Sequence, residues 1–274
     1  MKKCFLSIMG VLITSFAISQ EKPASEWSKN LINIDGNAKD WNLPLKYYDN
    51  DTKLFFEIKN DNNNLYLCFQ GNDQVSQVKI IRAGMKITLS SKINGKHKAT
   101  IYFPLPLKKD STKVSAADEM NSDPEISHQN MHTAFLAADT MMEVSGFTNK
   151  NGMIPSHDSS DIHAAINWDQ NNTLTYEVAI PLKEMFGNDY AEKNISKNIS
   201  LDVVINAFKR TGHPGNGYSG RSGGMGRGGF GGEMGHGGGM GRGGFGMGRS
   251  GNGESASAMS VKTEMKEKFT LATN

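Results

Sequence analysis

Apolar and polar residues alternate along much of the chain, the period at which a strand turns one face toward a core. In KLFFEIK (53–59) Leu54, Phe56 and Ile58 share a face, and in LYLCFQG (65–71) Leu65, Leu67 and Phe69 do the same. The Asp/Asn-rich turn between these runs predicts a hairpin. MKITLSSK (85–92) and KHKATIYFP (96–104) flank Ile93-Asn94-Gly95, and Asn-Gly between strand-like runs predicts a tight primed turn. IHAAINW (162–168), the turn DQNN and TLTYEVAIPL (173–182) repeat the pattern, with Leu174, Tyr176, Val178 and Ile180 on one face. SLDVVINAFKR (200–210), with Leu201, Val203 and Ile205 on one face, and KFTLA (268–272) complete the set.

One helix stands out among the strands. Ser122-Asp123-Pro124-Glu125 offers a serine cap, a glutamate three residues on and a proline in the first turn, which predicts a helix to about Ala138. Regularly spaced strands with few helices argue for an all-β fold, a two-layer antiparallel β-sandwich of jelly-roll type with one short helix inserted.

The first nineteen residues change where such a fold would be found. MKK is a short positive region, CFLSIMGVLITSFAIS an apolar run, and Ala17-Ile18-Ser19 a small-x-small cleavage pattern, so 1–19 is expected to be a signal peptide. Residues 20–30 then form an N-terminal tail, and 31–272 one sandwich domain, exported to the periplasm or secreted. Cys4 sits at the beginning of the apolar run and not just after it, so no lipid anchor is expected, and no second apolar span reaches membrane length. Cys68 is left as the only cysteine after cleavage; an intrachain disulfide is then impossible, and Cys68 is expected to be a buried strand residue.

Removing Lys2 and Lys3 leaves 28 basic against 28 acidic side chains. A nucleic-acid partner calls for a basic excess, and only 212–253 has one, with Arg221, Arg227, Arg242 and Arg249 against Glu233. That segment holds 22 of the 30 glycines and repeats GMGRGGF at Gly224 and Gly239. Its composition predicts a disordered loop between two strands of the domain. No nucleic-acid partner is expected, although Arg-Gly-Gly tracts can track a nucleic-acid backbone.

LINIDGNAKDW (31–41) and DNDTKLFFEIKNDNNNLYLCFQGND (49–73) bring a resemblance into view. An Ile-Asp-Gly opening followed by Asp-Trp (Ile34, Asp35, Gly36, Asp40, Trp41), an Asp/Asn turn into Asn64-Leu65-Tyr66-Leu67, a late Tyr176-Glu177-Val178-Ala179-Ile180-Pro181 and a strand at 201–208 recur in order. In this the chain resembles the family 9 carbohydrate-binding-module-like domains, which belong with the DOMON-like sandwiches. The resemblance implies a sugar-binding β-sandwich, often accessory to polysaccharide-degrading enzymes, and so a glycan as partner. Gly36 suits a turn and Trp41 can plug one end of the sandwich. Glu177 falls on the strand face opposite Tyr176, where a solvated or paired carboxylate is expected.

Sugar recognition stacks an aromatic plate on the pyranose face while polar groups take the hydroxyls. Family members that grip a terminal sugar between tryptophans carry roughly Trp-x-x-Asp-x-x-Glu where this chain has Lys79-Ile80-Ile81-Arg82-Ala83-Gly84-Met85-Lys86-Ile87, and Leu182 follows Ile180-Pro181 where an aromatic would serve. The family's clamp is therefore expected to be absent. Trp27, in the tail, and Trp168, near a hairpin end, remain as candidate plates or as packing residues.

His128 and His132 lie four apart on the expected helix, beside Met131 and Phe135. That spacing suits two imidazoles sharing a metal, or a half-buried helix edge. Asp49, Asp51, Asp61 and Asp73 could serve calcium, without an ordered ligand spacing. Some DOMON-like sandwiches hold haem between methionine and histidine, but methionine also fills cores. No cofactor is expected. His-Glu-x-x-His is missing from the sequence, Gly220-Arg221-Ser222-Gly223-Gly224 matches Gly-x-Ser-x-Gly only inside the glycine-rich segment, and the glycine repeats do not join a strand to a helix. A non-catalytic binding module is expected, against two alternatives: a surface or envelope scaffold whose Gly/Met/Arg loop makes the contacts, and a metal or haem carrier.

Overall fold

The computed structural model describes residues 22–91, 97–106, 124–137, 141–158, 161–188, 198–207 and 257–274. The expected signal peptide, the Ile93-Asn94-Gly95 turn and the segment 212–253 lie outside the described residues.

Among the described residues, twelve strands form two sheets. The first holds β1 (Glu26–Trp27), β2 (Tyr47–Asp49), β3 (Leu54–Asn60), β4 (Asn64–Gly71), β9 (His163–Trp168) and β10 (Leu174–Pro181). Its order is β1-β3-β4-β10-β9, with β2 also on β3. The second holds β5 (Met85–Ser91), β6 (His97–Phe103), β7 (Met141–Ser145), β8 (Gly152–Pro155), β11 (Ile199–Ile205) and β12 (Thr263–Phe269), in the order β12-β11-β5-β6-β7-β8. All pairs are antiparallel except the short β1–β3 ladder, so the fold is an all-β two-sheet sandwich.

Alternation sets the register. Ile58 faces Leu67 and Leu67 faces Val178, so the apolar residues of neighbouring strands share the inner face. A one-residue slip would turn that whole set outward. Leu54, Phe56, Ile58, Leu65, Leu67, Phe69, Tyr176, Val178 and Ile180 meet Met85, Ile87, Leu89, Ile101, Leu201, Val203 and Ile205 in one core. Tyr176 lies at its centre, edge-on to Phe69 at 6.0 Å and to Phe103 at 5.7 Å. Both outer strands of the second sheet are protected. Strand β12 alternates Glu264, Lys266 and Lys268 along its edge, and β8 is short and ends at Pro155.

Four features differ from the sequence reading. The segment 74–83, to which the sequence reading assigned no element, is a helix, α1 (Gln74–Ala83). Asp73 caps it by accepting from Ser76 N, and Gly84 ends it at φ +79°. The expected helix is α2 (Pro124–Leu136), and a third, α3 (Leu182–Phe186), follows β10. The segment read as a tail supplies β1, whose Glu26 and Trp27 pair with Lys59 and Asn60. Strand β12 begins at Thr263, five residues before KFTLA, and pairs along its length with β11. The Gly-rich segment therefore connects two strands that are already zipped together, with Ile205 opposite Thr263.

The phenol of Tyr176 is fully buried, and its hydroxyl has no hydrogen-bond partner among the described residues. A buried donor without a partner carries a desolvation penalty of about 1–3 kcal/mol. Tyr176→Phe should thus leave stability unchanged or raise it by about 1 kcal/mol in urea unfolding; a loss above about 1 kcal/mol would show that the hydroxyl has a partner in solution.

Candidate functional site

The segment from Ile32 to Leu45 has no helical or strand period, yet it has a defined place. It crosses the outer face of the first sheet and buries Ile32, Ala38, Trp41 and Leu45 against Tyr66, Cys68 and Ala179. Gly36, at φ +77°, makes the turn that lays this flap down. A Cβ there would fall 2.5 Å from Asn167 Cβ, so both the conformation and the close approach require glycine. A single 3-10 turn, Ala38–Asp40, then swings Trp41 inward.

The flap is fastened by one carboxylate. Glu177 on β10 is fully buried and accepts from Gly36 N at 2.7 Å, Asp35 N at 3.2 Å and Trp41 Nε1 at 2.6 Å. Charged acceptors make the stronger hydrogen bonds, and a buried carboxylate needs such partners. Asp35 is itself held by Asn33 Nδ2 and Asn37 N, and Asp40 accepts from Asn33 N, so the turn is stiff before it meets the sheet. Glu177 is thus paired, with backbone and indole N–H groups, and not solvated. Strand periodicity placed it correctly on the outer face but could not show what covers that face.

Glu57, Cys68 and Glu177 stand side by side in the same row across β3, β4 and β10. Burial pushes Glu57 above the usual carboxylate range, with the Lys59 ammonium 3.4 Å away pulling it down. Lys59 also donates to Asp40 O and lies 5.0 Å from the Trp41 ring centroid. The Cys68 thiol is pushed well up, by burial first and then by Glu177 and Glu57, which makes it unreactive as a thiolate nucleophile. Glu177 is raised to about 7 by burial, against its three N–H donors. All these perturbed groups lie beneath the flap.

The residues singled out from sequence are placed as follows. Trp168, half-buried, donates its indole N–H to Gln77 Oε1 at 3.1 Å, stacks on His132 with centroids 3.9 Å apart and meets Phe135 edge-on. His132 is therefore brought to Trp168, beside the buried Met131 and Phe135. His128 lies on α2, and its side chain is outside the described residues. Trp27 is half-buried in β1. Among the described residues no three His, Cys, Asp or Glu side chains gather as a metal-ligand set. Asp61 accepts from Asn63 N, Asn64 N and Tyr66 Oη; Asp49 from Thr52; Asp73 from Ser76 N. Those three carboxylates hold turns and a helix cap.

Two surfaces remain. A cleft at the sheet edge is lined by Asp49, Asp51, Lys262, Thr263, Glu264 and Lys266, with Glu264 ion-paired to both lysines. The other is the outer-face row next to Glu57-Cys68-Glu177, which reads Tyr48, Phe55, Gln70, Thr175, Asn167 across five strands. Phe55 is 43% exposed, the one exposed Phe, Tyr or Trp ring among the described residues. Its signal in the sequence is the doubled Phe55-Phe56, which in an alternating strand must send one ring outward.

No family model matches the chain, and no curated protein matches it. Among solved structures, the chain is similar to a family 9 carbohydrate-binding module from Caldicellulosiruptor kristjanssonii in complex with glucose, with 13% identity over 68% of this chain and 78% of that chain and a TM-score of 0.28.

Two outcomes test the flap. Gly36→Ala should destabilise the protein by roughly 2–4 kcal/mol in urea unfolding, from backbone strain and collision with Asn167; a loss under about 0.5 kcal/mol would mean that the turn is not held as described. Glu177, raised from 4.5 to about 7, favours folding in its protonated form. Its contribution, up to roughly 3 kcal/mol, is complete below about pH 4.5 and is lost as pH rises through 7. Between pH 5 and 8.5 the wild type should lose more stability than Glu177→Gln, and parallel profiles would contradict the assignment.

Proposed function

We propose that the protein is an exported, non-catalytic carbohydrate-binding module of the kind that accompanies polysaccharide breakdown. One observation carries the reading. Residues by which the sequence resembles the family 9 carbohydrate-binding-module-like domains, Asp35, Gly36, Trp41 and Glu177, lie up to 142 positions apart and converge on a single carboxylate. Motifs that are weak one by one thus act as one structural unit, which supports the resemblance as a whole.

The electrostatics favour binding over catalysis. Catalytic acids and bases combine perturbed proton affinity with access to a cleft. Here Glu57, Cys68 and Glu177 are perturbed but sealed, whereas the accessible cleft is lined by surface charges that in part neutralise one another.

A second reading, a surface scaffold acting through 212–253, is favoured by the position of that segment between the paired ends of β11 and β12, a mounting that leaves the sandwich undisturbed. One experiment separates the two. The purified protein and a variant whose residues 212–253 are replaced by a short Asn-Gly turn are applied to a glycan array. Both should bind the same glycans. Binding lost only in the variant would transfer the function to the segment, and silence from both proteins would remove the carbohydrate reading.

A further inference from the structure

Resting on that reading, we propose that the sugar platform is the outer-face ledge formed by Tyr48, Phe55 and Gln70, and that it takes a neutral pyranose ring of a glycan chain. The ledge is distinct from the tryptophan clamp whose pattern the sequence lacks.

The floor of the ledge has the two components that a sugar needs. A pyranose presents an apolar face of C–H groups and a rim of hydroxyls, so it binds where a flat ring lies beside uncharged donors and acceptors. Phe55 supplies the ring and Tyr48 supports it, with centroids 4.7 Å apart and planes inclined by 47°. Gln70, directly across from Phe55 on β4, donates one amide hydrogen to Thr175 Oγ1 at 3.0 Å. That bond fixes the amide and leaves a second N–H and the carbonyl for hydroxyl partners.

The surroundings define the ledge's limits. Across β2, β3 and β4 the floor extends about 10 Å, two inter-strand spacings, enough for a short stretch of glycan. Beyond Gln70 the row closes, because Thr175 is buried and Gly36 of the flap sits against Asn167. The adjacent row of Glu57, Cys68 and Glu177 is likewise covered by the flap. The flap therefore forms a wall beside an open floor, so the ligand enters from the β2 edge. Tyr48, Phe55, Gln70, Thr175 and Asn167 carry no charge, which matches a neutral sugar.

Calorimetric titrations with neutral gluco-, xylo-, manno- and galacto-configured oligosaccharides, and with uronate oligomers, test the proposal on the wild type, Phe55→Ala, Phe55→Trp, Gln70→Ala and, as a control, the exposed Val261→Ala. At least one neutral oligosaccharide should bind. Its affinity should fall at least about tenfold in Phe55→Ala, the scale of a truncated aromatic anchor, fall less in Gln70→Ala, hold or rise in Phe55→Trp and stay unchanged in Val261→Ala. Melting temperatures of the two ledge truncations should match wild type, which separates lost contact from lost fold. Wild-type-like affinity in both Phe55→Ala and Gln70→Ala would overturn the ledge while leaving the carbohydrate reading intact. A preference for uronates would overturn the neutral-sugar assignment, and a wild type that binds none of the probes would overturn ledge and reading together.

Discussion

A carboxylate that is fully buried must find hydrogen-bond donors, and Glu177 finds them in a segment some 140 residues earlier in the chain. That requirement fixes the flap on the first sheet. Asp35, Gly36 and Trp41 all aim N–H groups at the two carboxylate oxygens, and the apolar residues between them pack on Tyr66, Cys68 and Ala179. With the flap in place, the thiol of Cys68 is sealed among carboxylates, the Lys59 ammonium is brought beside the Trp41 ring, and one half of a polar sheet face becomes interior. Tyr48, Phe55 and Gln70, the part of the next row that the flap does not reach, remain a surface, and the exposed aromatic ring stands there.

Much of the sandwich was legible because alternation is local. Leu54, Phe56 and Ile58, Leu65, Leu67 and Phe69, and Leu174 to Ile180 take the faces their periodicity assigns, and their hairpins close in the expected register. The misreadings share a cause, which is that tertiary partners override a short pattern. Helix α1 was not anticipated at all, although Asp73 and Gly84, its cap and its stop, are both in the sequence, because its Ile80-Ile81 pair fits a strand as well as a helix. Strand β1 is two residues long and exists because β3 offers an edge. The flap has no period at all, so nothing in the sequence showed that Glu177 would be covered; the Gly36 turn was anticipated, whereas Trp41, expected to plug one end of the sandwich, is buried on the outer face of the first sheet.

The tryptophans that sequence offered as plates have other partners. Trp168 stacks on His132 and donates to Gln77, joining α2 and α1 to the end of β9, and Trp27 lies in the β1 ladder. The same stacking gives the His132 ring an aromatic neighbour. The family-like motif and the Tyr48-Phe55-Gln70 ledge thus occupy adjacent parts of one sheet face: the motif residues close the fold, and the uncharged ledge beside them stays accessible.

The Trp41 indole proton reports the flap most directly, because it lies between the flap and the Glu177 carboxylate at 2.6 Å. Its proton NMR shift and exchange with solvent, followed from pH 5 to 9, measure whether that bond exists and which group controls it. The expected result is a downfield resonance, slow to exchange, that titrates with a midpoint near 7. A solvent-like shift with rapid exchange, unaffected by pH, would mean that Glu177 does not hold the flap, and the division of the sheet face into a sealed half and an open ledge would fall with it.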